Sequence, residues 1–268
     1  MVRIRSRRSR TCKLTGLRLI PSKGQGVWRI AKFSLGALNP PQRPVAGSPE
    51  SWGRFDVPGH RTVYAAEPRT ASYAETLAYL SPAVGVRQTR LSEMFDDADA
   101  DDPQTVLDAI RSDWGRMFSI EPEKIVFGWR EARRQYPVTL PASGWFVDIE
   151  HNDSITALNR QMSKLLSTAA IPRLTRAHLT GDGRQSTTQI AEWVWKQELA
   201  DGTRPHGIVY SSKHGSGWRC WAIWLRRVDD GLDAASEPTT AGQGLVIPSP
   251  THDRELEKVQ KTFGLRLM

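Results

Sequence analysis

From Trp218 to Leu225 both alternations of the chain are apolar. Trp218, Cys220, Ala222 and Trp224 fall on one side of a strand, and Trp221, Ile223 and Leu225 on the other. Such a strand must be covered on both faces, which places it inside a layered sheet rather than on a half-solvated one. Ile208-Val209-Tyr210 precedes it across Lys213-His214-Gly215-Ser216-Gly217, a glycine-bearing loop that makes the pair a hairpin. Ser212 then sits where a central strand ends, a usual place for ligand contacts. Further strands are expected at 27–30, 62–65, 125–129 and 144–149. Helices are expected at 69–80, 104–118, 154–167 with Ser154 as N-cap, 187–199 and 251–263. The chain therefore reads as α+β, a mixed sheet core with flanking helices.

Trp52-Gly53-Arg54-Phe55-Asp56-Val57-Pro58-Gly59 reads as a turn-rich loop, because glycine tolerates positive φ and proline fixes its own. Arg54 is thus a loop arginine. Thr62-Val63-Tyr64-Ala65, β-branched and aromatic and bounded by Arg61 and Glu67-Pro68, reads as a buried or half-buried strand. Pro68 suits a first helical turn, and the helix from Arg69 to Leu80 stops ahead of Ser81-Pro82. On it Ala71, Ala74, Glu75 and Ala78 share a face, while Tyr73, Leu77 and Leu80 point elsewhere. A stripe of alanines faces a close neighbour rather than bulk water, which draws Glu75 toward a packed surface. Singly, Glu75 reads equally as a solvated helix glutamate, Arg54 as a surface arginine and Tyr64 as a core aromatic. Together they set a guanidinium, a phenol and a carboxylate on three successive elements, a set suited to gripping a phosphorylated ligand and cleaving a glycosidic bond.

These segments resemble the RES domain, the toxin component of a bacterial toxin–antitoxin system, named for its Arg, Glu and Ser. The resemblance opens with the strand Val27-Trp28-Arg29-Ile30 and passes through Gly53-Arg54-Phe55, the Tyr64 strand and the Glu75 helix in order. It resumes at Leu179-Thr180-Gly181-Asp182, Thr188-Gln189-Ile190-Ala191-Glu192-Trp193, Gly207 to Ser212 and Cys220-Trp221-Ala222-Ile223-Trp224. It covers residues 27–228 with a poorly matching middle, read as a helical insertion over about 91–176. The resemblance implies an ADP-ribosyltransferase-like fold and destruction of NAD+ at the nicotinamide–ribose bond, by hydrolysis or phosphorolysis. The functional set it implies is Arg54, Tyr64, Glu75 and Ser212, with NAD+ as substrate, phosphate as an optional co-substrate, and no metal or bound cofactor. Where the family carries Gly-Gly-Arg-Trp-Asn, this chain has Trp52-Gly53-Arg54-Phe55-Asp56, and the acid at 56 is expected to disfavour phosphate nearby. The implied partner is a helical DNA-binding antitoxin that plugs the cleft, an acidic neutraliser for a basic toxin.

The chemistry asks for these residue types on its own terms. Loss of nicotinamide leaves an oxocarbenium-like ribose, which needs a carboxylate against developing positive charge; Glu75 is the candidate. Pyrophosphate needs a cation with several donors, and a guanidinium supplies bidentate geometry, the role given to Arg54. The nicotinamide ring needs an aromatic face, offered by Tyr64. Ser212 is read as a hydrogen-bonding residue near the nicotinamide or ribose rather than an activated nucleophile, since no Ser-His-Asp arrangement surrounds it, and His214 as an ordinary loop histidine.

Length and composition set the remaining bounds. With 268 residues, 39% of them hydrophobic, and ten tryptophans, the chain can bury a sizeable core. Cys12 and Cys220 lie far apart, so neither a disulfide framework nor a CxxC metal site is expected, and a reducing, cytoplasmic setting is the simplest inference. The net charge of +8 is uneven: Arg3, Arg5, Arg7, Arg8, Arg10, Lys13, Arg18 and Lys23 precede the first acid, Glu50. Residues 1–26 therefore read as a flexible basic leader, 27–228 as the catalytic domain, and 229–268 as a linker and C-terminal helix. That helix is free to dock on the body, a partner or a second subunit. The acidic run Asp96 to Asp102 lacks the glycine and terminal glutamate of a calcium loop and reads as a solvated turn. Two other classes fit the composition: an ADP-ribosyltransferase acting on a macromolecule, and a basic nucleic-acid-binding module, for which no zinc-finger, helix-turn-helix or RNA-recognition pattern is present.

Overall fold

The computed structural model of the chain describes residues 8–78, 124–125, 127–181, 183–232 and 237–267. Its strands are β1 (Arg10–Thr11), β2 (Arg18–Pro21), β3 (Gly26–Lys32), β4 (Thr62–Glu67), β5 (Lys124–Ile125), β6 (Arg133–Thr139), β7 (Trp145–Asp148), β8 (Gly207–Ser211), β9 (Arg219–Trp224), β10 (Thr239–Thr240), β11 (Leu245–Val246) and β12 (Arg266–Leu267). The helices are α1 (Arg69–Leu77), α2 (Phe127–Glu131), α3 (Asn152–Gln161), α4 (Ser163–Thr168), α5 (Arg176–Thr180), α6 (Arg184–Trp195), α7 (Arg226–Asp230) and α8 (Arg254–Phe263). Ten strands form one mixed sheet in the order β1-β2-β7-β8-β9-β4-β3-β6-β10, with β11 also on β6. Within it β7 and β8 run parallel and the other pairings are antiparallel. A small parallel pair, β5 with β12, stands apart.

The doubly apolar segment 218–225 supplies β9, between β8 and β4 in the sheet. Its two alternations separate as the pattern requires. Cys220, Ala222 and Trp224 enter a core with Leu19, Phe55, Val147, Ile190 and Tyr210, whereas Trp221, Ile223 and Leu225 enter one with Val27, Val63, Tyr136, Phe146 and Val209. Burying each large apolar side chain contributes about 1.5–3 kcal/mol, so β9 anchors both layers. At the start of β8 the backbone approaches β9 so closely that a side chain at Gly207 would meet the Ala222 carbonyl oxygen.

Several sequence expectations are corrected. The flexible leader over 1–26 is, from Arg10 onward, part of the sheet: β2 pairs with β7, and Leu17 and Leu19 are fully buried. Arg10 pairs with Asp201 at 3.0 Å and its guanidinium lies 4.5 Å from the Trp145 ring. The expected insertion over about 91–176 contains β6 and β7, both paired inside the main sheet, so from residue 133 it is core. Residues 125–129 are not a strand; pairing stops at Ile125 and α2 begins at Phe127. The helix expected at 154–167 begins at Asn152, with His151 accepting the Asp153 N–H, and breaks at Met162 into α3 and α4. Ser154 does not cap it, because its hydroxyl oxygen accepts the Arg18 N–H at 2.9 Å. The linker expected after residue 229 contains β10 and β11, both on β6. The helix expected at 104–118 and the acidic run at 96–102 lie outside the described residues, as does the end of the helix expected to reach Leu80.

The C-terminal helix docks on the body. Tyr73, Ala74 and Leu77 of α1 pack with Leu256 and Val259 of α8 and with Leu265 in a third core. In α6, Trp195 packs against His60, with ring centroids 4.1 Å apart and the planes tilted by 46°, and carries the Arg226 guanidinium 5.0 Å from its ring. No helix among the described residues is long and apolar enough to cross a membrane.

Candidate active site

The loop 52–59 is held in shape by Asp56. Its carboxylate is almost fully buried and accepts three hydrogen bonds: Oδ1 takes the Tyr64 hydroxyl at 2.8 Å, and Oδ2 takes the Gly53 N–H at 2.8 Å and Arg43 Nε at 2.5 Å. The Tyr64 oxygen in turn accepts the Phe55 N–H at 2.9 Å. Asp56 therefore acts as a loop staple whose charge is matched by Arg43, which removes the reason to expect it to repel phosphate. Gly53 is required by close approach: a Cβ there would lie 2.5 Å from the Tyr64 ring and hydroxyl.

The staple aims Arg54 inward. Arg54 is 7% exposed, its guanidinium lies 4.8 Å from the Tyr210 ring, and its Nη1 is buried without a hydrogen-bond partner in the structure. A buried guanidinium nitrogen left unbonded is costly, and an anionic ligand would satisfy it.

Glu75 approaches from α1. Its helix is buried along Ala71, Ala74 and Ala78, as the alanine stripe predicts, while Glu75 itself is half-buried at the edge of the cleft. The Ser212 hydroxyl donates to Glu75 Oε1 at 2.5 Å and accepts the His214 N–H at 3.0 Å, so the turn after β8 fixes where that hydroxyl hydrogen points. Beside the pair lies the Cys220 thiol, whose pKa is pushed well above its ordinary value by burial and then by the neighbouring Glu75 carboxylate.

Arg54, Tyr64 and Glu75 line one open cleft. Ser212 borders it through its bond to Glu75. Four side chains from a loop, a strand, a helix and a strand end thus converge. The cleft also takes Arg29, Arg184, Tyr210, Lys213 and His214, which the sequence reading left out as site residues. Tyr210 carried a usable signal, since it lies on β8 two residues before Ser212, the strand-end position already singled out. Arg29 carried a weaker one, an arginine inside an apolar strand; it is 1% exposed and donates to the Tyr64 carbonyl at 3.1 Å. The floor is made of small side chains, Ala66 and Cys220, register partners on β4 and β9.

Fold and site together define a mixed α+β protein with a cation-rich cleft that, among the described residues, is lined by a single carboxylate, Glu75. Among the described residues no cluster of His, Cys, Asp and Glu could hold a metal ion. Comparison with protein-family models, with curated proteins and with solved structures returned no match.

Proposed function

We propose that this protein is an NAD+-degrading enzyme of the RES type, with an ADP-ribosyltransferase-like core, that breaks the nicotinamide–ribose bond by hydrolysis or phosphorolysis. The observation that carries the reading is the Ser212–Glu75 hydrogen bond at a cleft that also takes the cations Arg29, Arg54, Arg184 and Lys213, with Tyr64 beside them. Cations suit a dinucleotide's pyrophosphate; one oriented carboxylate suits the positive charge that builds on the ribose as the C–N bond breaks and nicotinamide leaves neutral with the bond electrons. Arg54, with its unbonded buried Nη1, binds pyrophosphate. Tyr64 lines the cleft with its hydroxyl already committed to the loop, so its part is packing against the nicotinamide and shape. Ser212 holds Glu75 in place and contacts ribose or nicotinamide. In this reading the enzyme works in a bacterial cytoplasm as the toxin of a pair, and an acidic, helical DNA-binding antitoxin covers the cleft.

Incubating purified protein with NAD+, with and without phosphate, and resolving the products tests the proposal. Free nicotinamide with ADP-ribose or its 1-phosphate is the expected result. Label retained on a macromolecule would make the protein an ADP-ribosyltransferase instead, and intact NAD+ would refute the reading.

A further inference from the structure

The two ends of α8 contact the two elements that carry Glu75 and Ser212. At its N-terminus Asp253, 5% exposed, divides its carboxylate between two helices. Oδ1 caps α8 by accepting the N–H groups of Glu255 at 3.0 Å and Leu256 at 3.3 Å. Oδ2 reaches across to α1, accepting the Tyr73 hydroxyl at 2.8 Å and Arg69 Nη2 at 2.6 Å. The Thr70 hydroxyl donates to the Glu255 carboxylate, a further tie between the same two helix starts. On the opposite side α1 is tied to the sheet through Gln135, which accepts from Arg69 and donates to the Ser72 hydroxyl. At the far end of α8, Phe263 meets the His214 ring edge-on at 5.7 Å, in the turn whose backbone N–H holds Ser212.

From this geometry we infer that Asp253 is a positioning residue for Glu75: it locks the rotation of α1 that sets where the carboxylate sits against Ser212, and so makes the C-terminal helix part of the active site. The inference rests on the NAD+-cleaving role proposed for Glu75. Glu75 lies two residues beyond Tyr73 on the same helix and across its axis, so a rotation of α1 released by slack in the Tyr73–Asp253 contact moves the carboxylate as well. A displacement of about 1 Å at a reacting group costs on the order of 100-fold in rate.

Full-length Asp253→Ala and Asp253→Asn, with Tyr73→Phe as the milder lesion, test it. Asparagine keeps an N-cap acceptor while removing the charge that holds Arg69, so it separates helix capping from the clamp. The expected result for Asp253→Ala is a kcat lower by about tenfold or more with KM within about twofold, and a comparable loss in Asp253→Asn; full recovery in Asp253→Asn would assign the effect to capping and overturn the clamp. A second readout does not depend on turnover: alkylation of Cys220, buried beside Glu75, speeds up several-fold while Cys12, buried elsewhere, stays protected. Unchanged kcat and unchanged Cys220 protection in a folded Asp253→Ala would overturn the inference, as would equal exposure of both cysteines, which marks general loosening. Should Asp253→Ala fail to fold, Tyr73→Phe, lacking a single hydroxyl, gives the same two readouts. If wild-type protein leaves NAD+ intact, the proposed function fails while the cysteine readout still decides the clamp.

Discussion

Tyr64 and Ser212 show how a side chain's neighbours decide its work. The Tyr64 hydroxyl bridges Asp56 and the Phe55 N–H, so Tyr64→Phe strands two buried polar groups. A stability loss of about 1–3 kcal/mol is expected from the urea midpoint. Ser212→Ala removes a hydrogen bond to a charged carboxylate, and nicotinamide release is expected to slow about 10- to 100-fold with the urea midpoint shifted far less than in Tyr64→Phe. Arg54, Tyr64 and Glu75 were legible in the sequence because they lie on three consecutive short elements whose glycine, β-branched and alanine patterns fix the local geometry. The staple role of Asp56 was not legible: its partner Arg43 sits in a proline-rich loop with no periodicity to place it. Arg184 and Lys213 escaped notice because a lone basic residue reads as solvated until the fold turns it inward.

At the level of elements, β2 is the least expected and the easiest to test. Leu17 and Leu19 are fully buried between the sheet and α3, yet they sit in a run of arginines and lysines that reads as solvated. Four residues are too few for alternation to outweigh that charge, and only the antiparallel partner, β7, makes the strand visible. Leu19→Ala is therefore expected to cost about 2–5 kcal/mol in urea denaturation, where a flexible leader would show no change. β7 falls on the strand expected at 144–149, whereas β6 was not expected. Both lie in the stretch that matches the resemblance poorly, so their place in the main sheet was hidden and the stretch read as an insertion. By contrast β8, β9 and α1 carry strong local signals, and the structure places them close to where those signals fall.

The molecule as a whole ties its stability to pH through His206, which is buried under Phe146 with Nε2 facing the Ser143 carbonyl at 2.8 Å. Burial, with a smaller push from Arg226, holds its pKa below the ordinary value against the opposing Ser143 bond. Unfolded, the imidazole takes up a proton near pH 6.5, so below that pH the unfolded chain binds more protons than the folded one. His206's contribution is thus present above about pH 6.5 and is lost as the pH falls toward the lower folded value. His206→Gln is expected to show a smaller drop in unfolding free energy between pH 7.5 and 5.5 than the wild type, by chemical denaturation at each pH; an equal drop would remove His206 as a source. The mixed α+β architecture was legible from the doubly apolar strand and its flanking helices. The order of the sheet was not, because it depends on pairings between strands more than 100 residues apart, such as β3 with β6. The same long-range closure brings Glu75 to Ser212, |i−j| = 137, and on that meeting the proposed function depends. The most direct measurement is nicotinamide release from NAD+ by wild-type protein and by Glu75→Gln, each shown to be folded by its unfolding transition. Rapid release by the wild type and a loss of at least about 100-fold in the variant is the predicted result. Equal release by the two proteins would contradict it.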